Sequence, residues 1–253
     1  MIVEYNVDGR IGFITLNRPE KRNALNEELI QDLAVAFDQA SNDPSVKVIV
    51  LKANGEAFCS GADLGYLQDL QTFSFDDNLA DSTRLKELFN KIYTLNKVVI
   101  AQVEGHAIAG GCGLATVCDF IFSVPEAKFG YTEVKIGFIP AIVMVFLIRK
   151  IGDQRARQLL LSGNLVSAQE SGLVFKISNK EAIAAEVIDF ANKLIKSNSA
   201  QAMTTTKQMI AEVQSLSLQD ALAYAARMNA NARSTDDCKK GISAFINKQP
   251  LEW

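Results

Sequence analysis

The chain has 253 residues, of which 48% are hydrophobic and 22% are charged, and its formal net charge at pH 7 is -3. A chain of this length and composition is typical of a globular protein with a large core. The weak negative charge supplies no field that attracts nucleic acid or an anionic membrane, so neither is an expected partner. The longest apolar stretch, residues 136–148, is shorter than the ~20 residues that a membrane span needs.

Cysteine usage bears on the compartment and on metal binding. The chain has four cysteines, Cys59, Cys112, Cys118 and Cys238, without the short paired spacing of a zinc site. The N-terminal residues lack the apolar core of a signal peptide. We therefore expect a cytoplasmic protein with reduced cysteines and no metal site.

The first half of the chain alternates strand-like and helix-like segments. Ile2–Val7 and Ile11–Leu16 flank turn residues and predict a β-hairpin. Asn26 has the features of a helix N-cap, and apolar residues then recur at helical spacing as far as Ala40.

Two apolar runs and a further helix follow. Val46–Leu51 and Val98–Val103 are rich in β-branched residues, as are strands buried on both faces, and between them a helix is predicted from about Asp81 to Leu95. The pattern predicts an α/β fold in which helices cover a largely parallel sheet.

Strand signals nearly vanish beyond about Gly152. Helical spacing instead occurs in several stretches, and again after Asp236: Ala156–Ser162, Ala182–Ile195, Ala202–Val213 and Leu218–Ala230. The C-terminal part of the chain is therefore predicted to be helical.

Two glycine-containing turns, each after a strand-like run and before a helix-like one, are candidate anion sites. The first is "AFCSGADL" (57–64) and the second lies in "VEGHAIAGGCGLATVCDF" (103–120), whose glycine spacing does not fit a dinucleotide or P-loop motif. Backbone N–H groups of Ala62 and Gly110 can serve an oxyanion that develops during a reaction. The alternative interpretation is that both are simply tight strand-to-helix connections.

Five segments in this order along the chain form a recognisable pattern: "LNRPEKRNALN" (16–26), "FCSGADL" (58–64), "VEGHAIAGGCGLATVCDF" (103–120), "AKFGYTEVKIGFIP" (127–140) and "GISAFINK" (241–248). Through these segments the chain resembles the enoyl-CoA hydratase/isomerase (crotonase) family over nearly its whole length.

This resemblance implies a crotonase-like spiral of ββα units, here residues 1–195, followed by a helical trimerisation region at 196–253. It also implies acyl-CoA thioester substrates and a homotrimer or a dimer of trimers. Coenzyme A belongs to the substrate, so no separate cofactor is expected.

The resemblance also implies roles for particular residues. The N–H groups of Ala62 and Gly110 would bind the thioester oxygen, and Glu133 would be the catalytic acid or base. The residues expected to contact substrate are Lys21, Arg22, Ala24, Ser60, Gly61, Asp63, Leu64, Gly111 and Gly113, and, at a neighbouring subunit, Phe245 and Lys248. Asp63 is expected mainly to cap the following helix, and His106 to be structural.

Hydratases of the family commonly use two glutamates, but here Gly113 stands where the first would be and only Glu133 matches. Gly113 is also expected to make room for a branched acyl group. Similarity to bacterial methylglutaconyl-CoA hydratases favours hydration of that substrate, although neither Lys135 nor Arg149 is identified as the partner of its distal carboxylate. The alternatives are a Δ3,Δ2-enoyl-CoA isomerase and a non-catalytic scaffold that binds acyl-CoA or RNA.

Overall fold

The computed structural model describes residues 1–253 and contains ten strands, ten α-helices and two 3-10 helices. The strands are β1 (Val3–Asp8), β2 (Ile11–Leu16), β3 (Val48–Ala53), β4 (Ala57–Cys59), β5 (Val98–Val103), β6 (His106–Ile108), β7 (Phe120–Ser123), β8 (Lys128–Gly130), β9 (Val166–Ser167) and β10 (Lys176–Ile177).

The α-helices are α1 (Glu27–Asn42), α2 (Leu64–Leu70), α3 (Phe75–Thr94), α4 (Gly110–Thr116), α5 (Ala141–Ser162), α6 (Ala168–Ser171), α7 (Ile183–Ser197), α8 (Ala200–Val213), α9 (Leu218–Ser234) and α10 (Asp236–Ile246). The 3-10 helices span Pro19–Lys21 and Glu133–Ile136. None of these helices combines the length and the hydropathy needed to cross a membrane.

The larger sheet has the strand order β1-β2-β3-β5-β7-β10. Strands β1 and β2 form the predicted antiparallel hairpin, with Val3 opposite Leu16, and all other pairs are parallel. Every residue of β5 is buried, as the apolar run predicts. Helix α1 covers this sheet, and the Asn26 side chain caps it by accepting a hydrogen bond from Leu29 N (3.0 Å), which confirms the predicted N-cap.

A second sheet of short strands, in the order β4-β6-β8-β9, lies beside the first. Three successive turns of the chain each contribute one strand to the larger sheet and the next strand to the smaller one before a helix follows: β3 and β4 precede α2, β5 and β6 precede α4, and β7 and β8 precede α5. The spiral of ββα units is therefore confirmed.

Some element bounds differ from those expected. Helix α3 begins at Phe75, well before Asp81, because Ser74 caps it by accepting a hydrogen bond from Asp77 N. Helix α5 begins at Ala141 and includes an apolar half that the sequence did not assign to a helix. Its kink at Gly152, where φ is 76°, separates that half from the predicted one.

The C-terminal region is helical as predicted, and the predicted boundary between residues 195 and 196 lies inside α7. Helix α8 is fixed to the sheet by a buried ion pair, in which Lys207 Nζ lies 2.7 Å from Asp119 Oδ2. Lys207 also donates to Lys97 O, and Asp119 accepts from Val99 N, so the pair joins α8 to the start of β5.

Candidate active site

The two glycine-containing turns are neighbours because the strands that lead into them are paired. Strand β4 lies parallel to β6, with Ala57 opposite His106 and Cys59 opposite Ala107. Both strands then end, and the chain turns into α2 and α4 respectively. The N-terminal ends of these two helices are therefore brought together.

Gly61 and Ala109 form the contact between the two turns. A Cβ on Gly61 would lie 2.8 Å from Ala109 Cβ and 3.6 Å from Gly110 N, and the φ of Gly61 is 92°. Only glycine fits such a close approach with this backbone conformation. Ala109 itself has a φ of 52° and donates its N–H to Gly130 O at 2.7 Å, which fixes the turn against β8.

Each turn offers an unpaired backbone donor. Ala62 is paired with Leu25 as a parallel bridge, in which Leu25 N donates to Gly61 O (2.7 Å) and Asp63 N donates to Leu25 O (2.8 Å). In such a bridge the N–H of Ala62 points away from Leu25, and no acceptor in the chain receives it. Gly110 is the first residue of α4, so its N–H has no acceptor within that helix.

Glu133 begins the 3-10 helix that follows β8, three residues after Gly130, whose carbonyl accepts the N–H of Ala109. Its side chain is half-buried, and Oε2 is buried without a hydrogen-bond partner. Burial raises the pKa of Glu133, against a smaller opposing effect of a backbone hydrogen bond. A buried carboxyl with a raised pKa and a free oxygen is suited to exchanging a proton with a bound molecule.

A sequence model of the enoyl-CoA hydratase/isomerase family matches residues 6–253. The chain belongs to the enoyl-CoA hydratase/isomerase family. A protein of Thermus thermophilus that carries an enoyl-CoA hydratase name is 40% identical over 245 residues, which is 96% of each chain. The 2,3-dehydroadipyl-CoA hydratase of Escherichia coli is 32% identical over 96% of this chain and 95% of its own.

Solved structures show the same fold. The crystal structure of an enoyl-CoA hydratase from Mycobacterium smegmatis superposes with a TM-score of 0.92 at 29% identity, covering 100% of this chain and 99% of that one. The crotonase-like fold expected from the sequence is therefore confirmed. These comparisons do not distinguish the methylglutaconyl-CoA hydratase subgroup, which stays a prediction.

Within this crotonase fold, Asp63 has the predicted capping position. Its Oδ1 accepts hydrogen bonds from Gly65 N (2.9 Å) and Tyr66 N (3.4 Å), which confirms the cap. Its Oδ2 lies 2.8 Å from Arg18 Nη1. Arg18, which the sequence did not single out, also donates to Ala24 O and so connects the segment before α1 to the turn at Ala62.

The segment Lys21–Ala24 lies beside the same turn. The side chains of Lys21 and Arg22 are exposed, Ala24 is buried, and Arg22 O accepts a hydrogen bond from Ser60 N at 3.1 Å. Asn23 holds the segment in place because its buried amide donates to Ala57 O and Asn54 O. Arg22 and Asn23 are two successive left-handed residues, which the sequence signals only through the preference of Asn for this conformation.

The other predicted residues of the turns differ in accessibility. Leu64, at the start of α2, is 73% exposed. Gly111 is buried in the first turn of α4, where its backbone lies close to Cys59 O of the neighbouring strand. The structure thus brings together the two turns with their predicted residues: Ser60, Gly61, Ala62, Gly110 and Gly111.

The space beside Gly113 is not open, which corrects the expectation that this glycine makes room for a branched acyl group. A Cβ on Gly113 would lie 2.3 Å from Val143 Cγ1 and 2.9 Å from Phe89 Cε2. Two large apolar side chains already occupy the volume that a side chain at position 113 would need. The sequence could not show this, because the three residues lie on three different helices.

Phe245 and Lys248 lie in the C-terminal helical region with exposed side chains. Phe245 is 87% exposed on α10, and Lys248 follows that helix with an exposed side chain. Their expected contact with the substrate of a neighbouring subunit stays a prediction.

The remaining residues that were weighed from the sequence have ordinary structural contacts. His106 Nδ1 accepts a hydrogen bond from Lys128 N at 3.2 Å, in agreement with a structural role. Lys135 is exposed, and Arg149 Nη1 donates to Val145 O of its own helix. Neither contact identifies a partner for a distal carboxylate.

Proposed function

We propose that this protein adds water to a 2-enoyl-CoA thioester. The single observation that carries the proposal is the pair of unpaired N–H donors, Ala62 and Gly110, in two contacting turns beside the half-buried Glu133. Membership of the enoyl-CoA hydratase/isomerase family and the hydratase names of the relatives support the same reaction.

The two donors act on the thioester oxygen. During hydration, negative charge develops on this oxygen as the enolate forms, and a preorganised N–H donor in such a position contributes about 3 kcal/mol to the transition state. Because Gly61 has no side chain, the two turns can stay in contact and the two donors remain close together.

Glu133 carries both proton transfers. As carboxylate it removes a proton from water while the water oxygen bonds to C3, and the electrons of the C2=C3 π bond move toward C2 and the thioester oxygen. The carboxylic acid so formed then donates that proton to C2. One O–H bond and the π bond are broken, one C–O and one C–H bond are formed, and no redox partner is needed.

The acyl group that we propose is 3-methylglutaconyl, on the basis of the resemblance of the "AGGCGL" and "TEVKIGFIPAIV" segments. We expect the exposed side chains of Lys21 and Arg22 to contact the CoA phosphates. We further propose that the chain works as a trimer or a dimer of trimers, in which Phe245 and Lys248 reach the CoA bound to a neighbouring subunit.

A second candidate reaction is Δ3,Δ2-enoyl-CoA isomerisation. It is favoured by the presence of Glu133 alone, with Gly113 at the position of the second glutamate. In that reaction Glu133 removes a proton from C2 of a 3-enoyl-CoA and returns it to C4, while the same two N–H groups stabilise the dienolate.

The test is turnover of 3-methylglutaconyl-CoA, crotonyl-CoA and a 3-enoyl-CoA by the purified chain, with products identified by mass. Addition of one water, most rapidly with the first substrate, supports the proposal. A double-bond shift without a mass change supports the isomerase, and binding without turnover of any substrate supports a scaffold.

One variant and its control test whether Glu133 is the group that transfers both protons. Glu133→Gln keeps the size of the side chain and is expected to lower kcat by about 10²- to 10⁴-fold, as loss of a general acid-base group does. Glu126→Gln is the matched control, because Glu126 is exposed in the loop before β8. Equal turnover by the wild type and Glu133→Gln would remove Glu133 from the mechanism.

A further inference from the structure

The carboxyl of Glu133 receives no hydrogen bond from another residue. Its Oε2 is buried without a hydrogen-bond partner, and the only backbone hydrogen bond that acts on the carboxyl comes from Glu133 itself. The position of this carboxyl therefore follows mainly from the position of its own backbone. Because Glu133 is the first residue of its 3-10 helix, the residues just before it determine where that backbone lies.

Tyr131, two residues before Glu133, makes a buried hydrogen bond to α4. Its side chain is 0% exposed, and its hydroxyl lies 2.8 Å from Oγ1 of Thr116, which is also 0% exposed. Thr116 Oγ1 donates to Cys112 O at 2.8 Å. A threonine hydroxyl has only one hydrogen, so Tyr131 is the donor in the contact between the two hydroxyls. Burial raises the pKa of Tyr131 well above its usual value, so its hydroxyl keeps the proton that it donates.

Tyr131 and the residue before it hold opposite ends of α4. Gly130 O accepts the N–H of Ala109, which immediately precedes α4, at 2.7 Å, and the Tyr131 hydroxyl contacts the last residue of this helix. A helix of seven residues is ~10 Å long, so the two contacts span all of it. Its first residue supplies the Gly110 N–H. The segment that leads into Glu133 is thus fixed to the helix that carries one of the two proposed donors.

The hydroxyl of Tyr131 is not needed to fill the core. A phenylalanine at position 131 would occupy the same apolar space without a polar group to bury. A hydrogen bond depends on distance and angle, whereas apolar packing has no preferred direction. The contact with Thr116 therefore restricts how the segment can slide along α4, which packing of the ring alone does not do.

We propose that Tyr131 is a positioning residue for the reaction, whose hydrogen bond to Thr116 sets the Glu133 carboxyl relative to the Gly110 N–H. The inference rests on the proposed function and deepens it, because it names what holds the acid-base group in place. Tyr131 touches no substrate in this role and acts through the backbone of residues 131–133. Without the bond, the 3-10 helix can shift relative to α4, and such a displacement of a catalytic group lowers the rate.

The experiment compares Tyr131→Phe, Thr116→Val, their double variant and Thr116→Ser with the wild type in crotonyl-CoA hydration. If the wild type only isomerises, a 3-enoyl-CoA replaces crotonyl-CoA. Tyr131→Phe and Thr116→Val each remove the bond with little change of shape, so each should lower kcat about tenfold and change KM less than about twofold.

Two further variants test whether the bond itself is responsible. The double variant should be no slower than the slower single variant, because both substitutions remove the same interaction. Thr116→Ser keeps a hydroxyl at this position and should retain most of the wild-type kcat.

Stability is measured separately. Loss of the buried hydrogen bond should lower the melting temperature of Tyr131→Phe by about 2–4 °C. This loss does not itself lower kcat in an assay well below the melting temperature, because the protein stays folded. Tyr5→Phe is the matched control: Tyr5 is half-buried on β1, and its hydroxyl donates to Asp43 Oδ2 at 3.4 Å. Its kcat should equal that of the wild type.

The pH profile is a second readout that a merely structural role of Tyr131 would not move. The pKa of Glu133 is raised by burial. A carboxyl that is no longer held in place gains contact with water, which lowers its pKa toward the usual value. The acid limb of kcat/KM in Tyr131→Phe should therefore lie at lower pH than in the wild type, while Tyr5→Phe should keep the wild-type midpoint.

The outcomes separate the inference from the proposed function. A wild-type kcat and an unshifted pH profile in Tyr131→Phe would overturn the inference and leave Tyr131 a packing residue. Losses that multiply in the double variant would show that the two residues do not act through one bond. If Tyr131→Phe does not fold, the comparison of Thr116→Val with Thr116→Ser decides the same question. A wild type that neither hydrates nor isomerises an enoyl-CoA would remove the proposed function and the inference together.

Discussion

The guanidinium of Arg18 lies 2.8 Å from the carboxylate of Asp63, and the two side chains are only 14% and 15% exposed. The contact joins the segment after β2 to the N-terminus of α2, beside the unpaired N–H of Ala62. Burial by itself raises the pKa of Asp63, but hydrogen bonds from Arg18, Tyr66 N and Gly65 N outweigh this effect and hold the pKa below its usual value.

Asp63→Asn is expected to lower the free energy of unfolding by about 2 kcal/mol at pH 7, because a hydrogen bond between charged groups is lost while asparagine still caps the helix. Since the pKa is lower in the folded state, the stabilisation is present above the unfolded value of about 3.9 and disappears as the pH falls through the folded value. Urea unfolding of the two proteins between pH 3 and pH 8 measures the difference.

The control for this prediction is Asp76→Asn. Asp76 lies in the first turn of α3, exposed and without an ion pair, so its change should cost less than about 0.5 kcal/mol. A difference between wild type and Asp63→Asn that does not shrink at low pH would show that the ion pair with Arg18 is not its source.

Gly61→Ala is expected to impair both stability and turnover. The new Cβ would meet Ala109 Cβ at 2.8 Å and Ile108 O at 3.0 Å, with φ at 92°. The turns that hold Ala62 and Gly110 must then separate, and a displacement of about 1 Å in catalytic groups costs on the order of 100-fold in rate. Steady-state kinetics should show a fall in kcat that exceeds any change in KM.

Gly9→Ala is the matched control, since Gly9 also has a positive φ, 55°, but nothing lies within 4 Å of its Cβ position. It is expected to cost about 1 kcal/mol of stability through the backbone conformation alone and to leave kcat unchanged. Comparable kinetics in the two variants would argue against contact between the turns as the basis of the active site.

Much of this architecture follows from local signals in the sequence. Asn26 and Asp63 are recognisable as helix caps because Asn and Asp are preferred immediately before the first turn of a helix, and β5 is recognisable because five of its six residues are apolar. Strands β4, β6 and β8 have only three residues each, too few to show a period of two. Their existence followed from the family resemblance.

Contacts between distant segments were beyond reach of pattern reasoning. The partner of Asp63 is Arg18 rather than a neighbour in sequence, and Gly113 is matched by Val143 and Phe89 on two other helices. Glycine at position 113 correctly indicated that a carboxylate is absent there. The expectation that this glycine makes room for a branched acyl group was wrong, because the sequence does not reveal which neighbouring side chain fills the space beside a glycine.

The raised pKa of Glu133 predicts a pH-dependent gain of stability in Glu133→Gln. Burial favours the protonated form of Glu133 in the folded state. The contribution of Glu133 to the free energy of unfolding is therefore fully present below the unfolded pKa of about 4.3, and it is lost as the pH rises through the pKa of the folded state. Glu133→Gln, which is always neutral, should therefore exceed the wild type in melting temperature at pH 7 and approach it near pH 4.

Thermal unfolding across this pH range tests the prediction, with Glu126→Gln as the exposed control whose difference from wild type should stay constant. The same ionisation should appear in the kinetics. The acid limb of kcat/KM should have its midpoint above about 4.3, since the carboxylate form of Glu133 must accept the proton of water. A midpoint at or below this value, with a flat stability difference, would contradict burial of the carboxyl.

The buried pair of Lys207 and Asp119 is expected to matter far more than an exposed pair of similar length. Asp119→Asn leaves the Lys207 ammonium, 7% exposed, without its counter-ion and should cost about 3 kcal/mol. The Lys91–Asp38 pair is as short, 2.6 Å, but its side chains are 30% and 57% exposed, so Asp38→Asn should cost less than about 1 kcal/mol. Urea unfolding of both single variants, and of Asp119→Asn/Lys207→Met, measures these costs. Removing both charges should recover part of the free energy of unfolding that Asp119→Asn loses. Equal costs for the two single variants would show that α8 is held by apolar packing instead.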